Sequence, residues 1–263
     1  MEQPSAPEKS SVDDIHPSNI RPPGLEFAMG VALFAMVLMV FLVVQAVVFF
    51  QGIIARSQEF AGTAFSFAWF DDPVFKERMQ EHAFNGDLVA SEALWSGSVC
   101  SLLILLTVYL WKRGNTALFL GLKFPPVMQF LKWSGLFVLL IIAIEFIAKF
   151  IPAFDTDFME KVIGSTTNMA MLVVAVGVIG PLFEELLLRG LLYGSIRHMA
   201  DEHTAVALTA GVFTLMHLQY SWTVMLLILP MGVVLGYARS RSGSIWVPVL
   251  LHMVNNMLSI ALP

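Results

Sequence analysis

Apolar runs that are long enough to cross a lipid bilayer recur along this chain. A membrane-spanning helix needs about 20 predominantly apolar residues, and only helices or closed barrels satisfy their backbone hydrogen bonds inside hydrocarbon. Charged residues make up 13% of the 263 residues, against roughly 25% in soluble domains. The sequence therefore predicts an all-α fold, a polytopic transmembrane helix bundle of seven to eight spans. The seven runs cover residues 24–54, 89–111, 133–151, 168–197, 204–219, 222–238 and 244–262.

An eighth span depends on Pro181, which lies inside the fourth run. Proline has no backbone N–H, so we expect it to kink or split that helix, with a new helical segment beginning there. With seven spans, the N-terminal tail and the loops near 112–132, 197–203 and 239–243 carry nine Lys and Arg residues on one side, against five on the other. We expect a multi-pass integral membrane protein, in the plasma or inner membrane if the source is a bacterium, and this asymmetry predicts a cytoplasmic N-terminus. An eighth span would reverse the predicted membrane orientation of every segment after Pro181.

Three regions of the chain differ in composition. Residues 1–23 are rich in Ser, Pro and acidic residues without apolar periodicity, which predicts a disordered tail. Residues 24–165 hold the N-terminal membrane spans and an interfacial segment at 55–88, where charged and aromatic residues are interleaved. Residues 166–263 contain the polar residues described next, and we assign them as a catalytic membrane-helix core.

Three charged residues, Glu184, Glu185 and Arg189, stand within six positions of the fourth run. A charge at the bilayer centre costs at least ~2.5 kcal/mol on insertion scales, and such residues usually face the bundle interior and mark a function. Glu185 and Arg189 are four residues apart, so they share a helix face and can form an ion pair. Glu184 points about 100° away around the helix. We therefore expect the pair to leave Glu184 free for acid–base chemistry.

Polar side chains of two later runs complete a candidate hydrolytic site. Phe213 and His217 are four apart on one predicted helix, and His252 and Asn256 are four apart on the last. Glu184 would accept a proton from a water molecule that His217 holds. His252 and Asn256 would donate hydrogen bonds to the oxyanion of a tetrahedral intermediate. Each residue alone also fits helix–helix hydrogen bonding, a structural ion pair or core packing, so the prediction depends on their occurring together.

Several kinds of ligand are disfavoured by composition and spacing. The net charge of −5 and the lack of a long basic run give no support to nucleic-acid binding. The single cysteine, Cys100, excludes an intramolecular disulfide and a multi-thiolate metal site. No His-Glu-x-x-His motif or its inverse is present, so we predict no metal and no cofactor, although two histidines and two glutamates leave zinc open.

Three motifs appear in a fixed order: Glu184-Glu185-x-x-x-Arg189, Phe213-x-x-x-His217 and His252-x-x-x-Asn256. Together they closely resemble the motifs of the CPBP family, the CAAX-protease and bacteriocin-processing (Abi) intramembrane proteases related to type II CAAX prenyl endopeptidase. The resemblance covers about residues 175–260. It implies an eight-helix-type bundle with a conical cavity open to membrane and cytosol, and metal-independent, glutamate-dependent endopeptidase activity on membrane-associated or lipid-modified peptides.

The resemblance also implies a role for each motif residue. Glu184 is the activating base, with His217 as its partner on the water. Glu185 and Arg189 order the site. His252 and Asn256 form the oxyanion site.

Two other classes of function stay open. A non-proteolytic family member would act in the membrane as a bacteriocin-immunity or regulatory scaffold protein. A proton-coupled transporter would use Glu184, Glu185 and Glu145, and would show paired broken helices in two similar halves, which the sequence lacks. The expected partners are a membrane-associated peptide or protein substrate and the lipid bilayer.

Overall fold

The computed structural model describes residues 22–150 and 157–262. All regular secondary structure in these ranges is helical, without a strand, which confirms the all-α prediction. The predicted disordered tail falls almost wholly outside the described residues. The helices are α1 (Pro23–Arg56), α2 (Pro73–His82), α3 (Gly86–Lys112), α4 (Thr116–Leu120), α5 (Val127–Ala148), α6 (Asp157–Ser165), α7 (Met169–Ile196), α8 (Glu202–Leu215), α9 (Trp222–Ser242) and α10 (Trp246–Ala261).

Five helical segments of the described chain are long and apolar enough to cross a bilayer: α1, α3 continued into α4, α5, α7 and α9. A polytopic membrane bundle is therefore confirmed. The helices at two of the predicted spans are shorter, because α8 has 14 residues and α10 has 16. At 1.5 Å per residue, each falls short of the ~30 Å hydrocarbon core. The predicted number of seven to eight spans therefore stays a prediction.

The helix with the two glutamates, α7, is continuous, which corrects the expectation that Pro181 splits it. Its hydrogen bonding changes from α to π over Ala175–Ile179 and again over Leu186–Leu192. An α-helical segment at Gly180–Glu185 lies between the two π turns and has Pro181 in its first turn. The helix thus stays continuous through Pro181 because its backbone hydrogen bonds change from the α to the π pattern just before the proline. Such π turns occur frequently at functional sites.

The loops rich in Lys and Arg lie together at one end of the bundle, which we call the basic end (residues 112–123, 197–203 and 239–246). Two contacts join these loops, from the Ile245 N–H to the Gly121 carbonyl at 2.8 Å and from Arg241 to Glu202 at 3.1 Å, and Lys112 pairs with Glu26 at the start of α1 at 3.0 Å. The start of α3 and the start of α7 meet at the opposite, distal end. There the Asp87 carboxylate accepts the backbone N–H groups of Thr167 and Asn168, both at 3.0 Å. The cytoplasmic assignment of the basic end stays a prediction.

The predicted interfacial segment is folded against the distal end of α1 and does not span. It contains a 3-10 turn at Phe67–Asp71 followed by α2. Phe60 and Phe75 are buried in a cluster of aromatic rings, whereas Phe67 is 81% exposed. An exposed ring beside a buried aromatic cluster is typical of a segment at headgroup level.

Glycines of α9 let α8 approach closely and so place Phe213. A Cβ atom on Gly232 would lie 3.0 Å from the Phe213 ring, and one on Gly236 would lie 2.9 Å from Val206. These contacts are closer than almost any side chain tolerates. The small-residue pair on α9 therefore fixes the depth of α8 against it.

Candidate functional site

The two adjacent glutamates of α7 have different surroundings. Glu185 is completely buried, whereas Glu184 is half-buried and its Oε2 atom is inaccessible to solvent. That oxygen has no hydrogen-bond partner among the described residues. Buried polar atoms are rarely left unpaired, so each exception calls for an explanation. Oε2 of Glu185 is likewise unpartnered in this part of the chain, but Glu185 is completely buried, so the half-buried Glu184 is the carboxylate of the pair that a ligand can reach.

Glu185 joins three helices through its ion pair with Arg189. Its Oε1 atom accepts a hydrogen bond from Nη1 of Arg189 at 2.8 Å and lies 3.1 Å from Nδ1 of His252 on α10. Nη2 of Arg189 donates to the Gly232 carbonyl of α9 at 3.0 Å. The side chains of Glu185 and Arg189 are 0% exposed. The predicted i,i+4 pair is therefore present, and it also orients His252.

The ring of Phe213 lies at the centre of the constellation. The Arg189 guanidinium is 4.6 Å from its centroid, the His217 ring 4.7 Å and the His252 ring 5.3 Å. Sequence reasoning gave Phe213 only a supporting place in its motif. Its ring contacts both imidazoles and the guanidinium, so Phe213 helps to position all three groups.

His217 lies just beyond its helix and not on it, because α8 ends at Leu215. Its Nδ1 atom is 2.8 Å from the Phe213 carbonyl oxygen. A carbonyl only accepts hydrogen bonds, so Nδ1 carries the proton and Nε2 of the neutral imidazole is an acceptor. The turn therefore presents an acceptor nitrogen, which suits a group that holds a hydrogen atom of water.

Tyr220 is a further residue of the site that the sequence analysis missed. Its ring stacks on the His217 ring with a centroid distance of 6.2 Å and an interplanar angle of 21°. It is also within electrostatic range of the Glu184 carboxylate. Its spacing of three residues from His217 was the available signal. That signal was overlooked because the region was interpreted as a longer helix.

Asn256 contacts α7 about two helical turns before the glutamates. Its Nδ2 atom donates to the Val176 carbonyl oxygen at 3.0 Å, and its Oδ1 atom lies 3.5 Å from Nδ2 of Asn255. Glu185, Arg189, Phe213, His217 and His252 thus form one contiguous contact network. Asn256 joins it through α7 and α10. Glu145, which a transporter would use, is exposed on α5.

A surface pocket of about 380 Å³ lies at the distal end, lined by Phe84, Lys161 and neighbouring residues. Three ring contacts connect it to the site. Phe84 meets Phe158 at 5.9 Å, Phe158 meets Tyr220 at 5.4 Å, and Tyr220 stacks on His217. This pocket is therefore separated from the motif residues by aromatic side chains. Within the described ranges, no cluster of three or more His, Cys, Asp or Glu side chains has a metal-binding arrangement.

Residues 166–258 match the family model described as "Type II CAAX prenyl endopeptidase Rce1-like". The C-terminal third of the chain is Rce1-like. This match contains all three motifs and confirms the family resemblance. The Bacillus subtilis (strain 168) protein named "Putative membrane peptidase YdiL" is 21% identical over 102 residues, 39% of this chain and 41% of that protein. The chain thus matches about two-fifths of that relative's length, and no solved structure matches significantly.

At the level of the family, the Rce1-like segment supports a membrane protease of the CAAX type. Residues 1–165 lie outside the family match.

Proposed function

We propose that the chain is an intramembrane endopeptidase that hydrolyses membrane-associated or lipid-modified peptides with a water molecule activated by Glu184 and His217. The observation that carries the proposal is the buried Oε2 atom of Glu184, which has no partner in the described chain. The neighbouring carboxylate is already neutralised by Arg189. An unpaired carboxylate oxygen in a largely apolar bundle is suited to accept a proton from water.

In the proposed reaction, Glu184 takes one proton of the water molecule, while Nε2 of His217 accepts a hydrogen bond from the remaining O–H group. The water oxygen attacks the peptide carbonyl carbon and gives a tetrahedral intermediate with a negative oxygen. Glu184, now a carboxylic acid, returns its proton to the leaving nitrogen as the C–N bond breaks. No covalent enzyme intermediate and no metal ion is required.

The oxyanion has two proposed donors, Asn256 and His252. One N–H of the Asn256 amide faces the Val176 carbonyl, and the second stays available. Nδ1 of His252 faces a carboxylate oxygen of Glu185 and carries a proton. In the proposed reaction, the ring contributes its other nitrogen, Nε2, as the donor to the oxyanion.

The test is peptide cleavage by the purified chain reconstituted in lipid vesicles, with a farnesylated CAAX peptide and the same peptide without its lipid as probes. We expect Glu184→Gln to lower the cleavage rate at least ~10²-fold, the usual range for loss of a general base. Glu145→Gln, an exposed glutamate of another span, serves as the matched control and should keep the wild-type rate. A Glu184→Gln protein that cleaves at the wild-type rate would remove the proposal.

The substrate class follows from the same variant. Glu184→Gln protein in native membranes should retain uncleaved substrate, and the molecules that co-purify with it but not with wild type identify the class. Full biological activity of a His217→Ala variant in a complementation assay would favour the non-proteolytic scaffold function instead.

A further inference from the structure

The carbonyl of Val176 has lost its backbone donor within α7. The N–H of Gly180 bonds to the Ala175 carbonyl, five residues back, as in a π helix. The next bond of this series would run from residue 181 to Val176. Residue 181 is proline and has no N–H. The Val176 carbonyl would therefore be left without a partner inside the bundle, where unsatisfied backbone groups are strongly unfavourable.

The side chain of Asn256 provides the missing donor. Its Nδ2 atom lies 3.0 Å from the Val176 oxygen. Because a carbonyl oxygen only accepts, the amide group must present its nitrogen here, and this fixes which way the amide is turned. Asn255 lies on the other side, with its Nδ2 atom 3.5 Å from Oδ1 of Asn256. This second contact is at the limit of hydrogen-bonding distance, so the Val176 carbonyl sets the orientation of Asn256.

The contact places Pro181 between two attachments of α10 to α7. Asn256 holds the carbonyl of Val176 before the proline, and His252 holds the carboxylate of Glu185 after it. Glu184 lies within the segment so bracketed. Both attachments come from residues one helical turn apart on α10, so α10 fixes the length and the rotation of this part of α7.

We propose that Asn256 is a positioning residue whose amide replaces the absent N–H of Pro181 and thereby fixes the backbone that carries Glu184. The importance of this contact for Glu184 rests on the proposed function. The replacement of the missing Pro181 N–H by the Asn256 amide is independent of that function and can be tested without a substrate. It also goes beyond an oxyanion role, since it assigns the first N–H of the amide and leaves the second one free.

The test is a double-mutant cycle with Pro181→Ala and Asn256→Leu, measured as the unfolding midpoint of the full chain in detergent micelles. Leucine keeps about the volume of asparagine and removes the donor. We expect Asn256→Leu to lower the midpoint clearly in the wild-type background. In the Pro181→Ala background, the loss should be less than half as large, because alanine supplies the N–H that Val176 lacks. Equal losses in both backgrounds would overturn the proposal.

Hydrogen exchange of the backbone in residues 176–186 gives a second, local measurement. Asn256→Leu should speed exchange there, and adding Pro181→Ala should restore slow exchange, a rescue that a packing role alone would not produce. Asn255→Leu is the matched control, since its amide does not contact α7, and it should leave this exchange unchanged. Failure of peptide cleavage in every variant, wild type included, would count against the proposed function and leave both measurements interpretable.

Discussion

Replacement of Arg189 by methionine tests whether the buried ion pair holds the site together. Arg189 and Glu185 are both fully buried, and the guanidinium donates to Glu185 at 2.8 Å and to the Gly232 carbonyl at 3.0 Å. Methionine fills most of the space of arginine but leaves Glu185 as a buried charge without its partner. Breaking a buried pair on one side typically costs about 3–5 kcal/mol. We therefore expect a loss of that size in unfolding free energy.

A second variant separates the unpaired charge from the lost contacts. Glu185→Gln combined with Arg189→Met removes the uncompensated carboxylate, while the amide oxygen of Gln can still accept from His252. Neutral replacements of buried ion pairs are often close to neutral in stability. The double variant should therefore be more stable than Arg189→Met alone, by roughly 2 kcal/mol or more. The two changes should therefore be non-additive, because adding Glu185→Gln to Arg189→Met raises the unfolding free energy instead of lowering it further.

The measurement is the free energy of unfolding from a sodium dodecyl sulfate titration in mixed micelles. Arg241→Met is the matched control, because Arg241 also pairs with a carboxylate, that of Glu202 at 3.1 Å, but its side chain is 52% exposed. Exposed pairs contribute less than about 1 kcal/mol. The reasoning fails if Arg189→Met costs no more than Arg241→Met, or if the double variant is less stable than Arg189→Met.

Two further predictions concern backbone and electrostatic features of the chain. Gly121 and Gly62 have φ angles of +75° and +77°, but only at Gly121 would a Cβ meet another group, the Arg239 guanidinium carbon at 2.5 Å. Gly62→Ala should cost about 1–2 kcal/mol for the left-handed backbone alone, and Gly121→Ala clearly more, as measured by the same titration. Hydrogen bonds from Thr204 lower the pKa of Asp201, so the contribution of Asp201 to stability is present above its ordinary pKa of about 3.9 and lost as pH falls through the lowered value. Asp201→Asn should remove that acid-induced loss from a plot of unfolding midpoint against pH, and an unchanged plot would contradict the assignment.

Features set by neighbours in sequence could be predicted, whereas features set by hydrogen-bond register could not. The helical class and the membrane character follow from apolar content and run length. The course of α7 past Pro181 does not, because the π turn at Ala175–Ile179 depends on a donor from α10. The end of α8 at Leu215 was also missed, since residues 216–221 include no Gly or Pro.

The same distinction applies to the candidate site. The pairing of Glu185 with Arg189 follows from a spacing of four residues on one helix. The contact between Glu185 and His252 joins residues 67 apart in sequence, and no local pattern specifies it. The contacts of the Phe213 ring with the two imidazoles likewise depend on how closely α8 packs against the glycines of α9. Motif order could suggest that these residues meet, but only the packing of α7 to α10 determines their contacts.

The two adjacent glutamates divide the electrostatic and chemical tasks of the site because of helix geometry. Neighbouring residues point about 100° apart, so a single arginine four residues on can neutralise Glu185 but cannot also cover Glu184. Two unpaired carboxylates so close in a low-dielectric bundle would repel each other and raise the free energy of the fold. With Glu185 held by Arg189, the buried pair carries no net charge and adds no negative charge beside Glu184. The buried ion pair therefore does more than join three helices: it is the condition under which an unpaired carboxylate can be retained beside it.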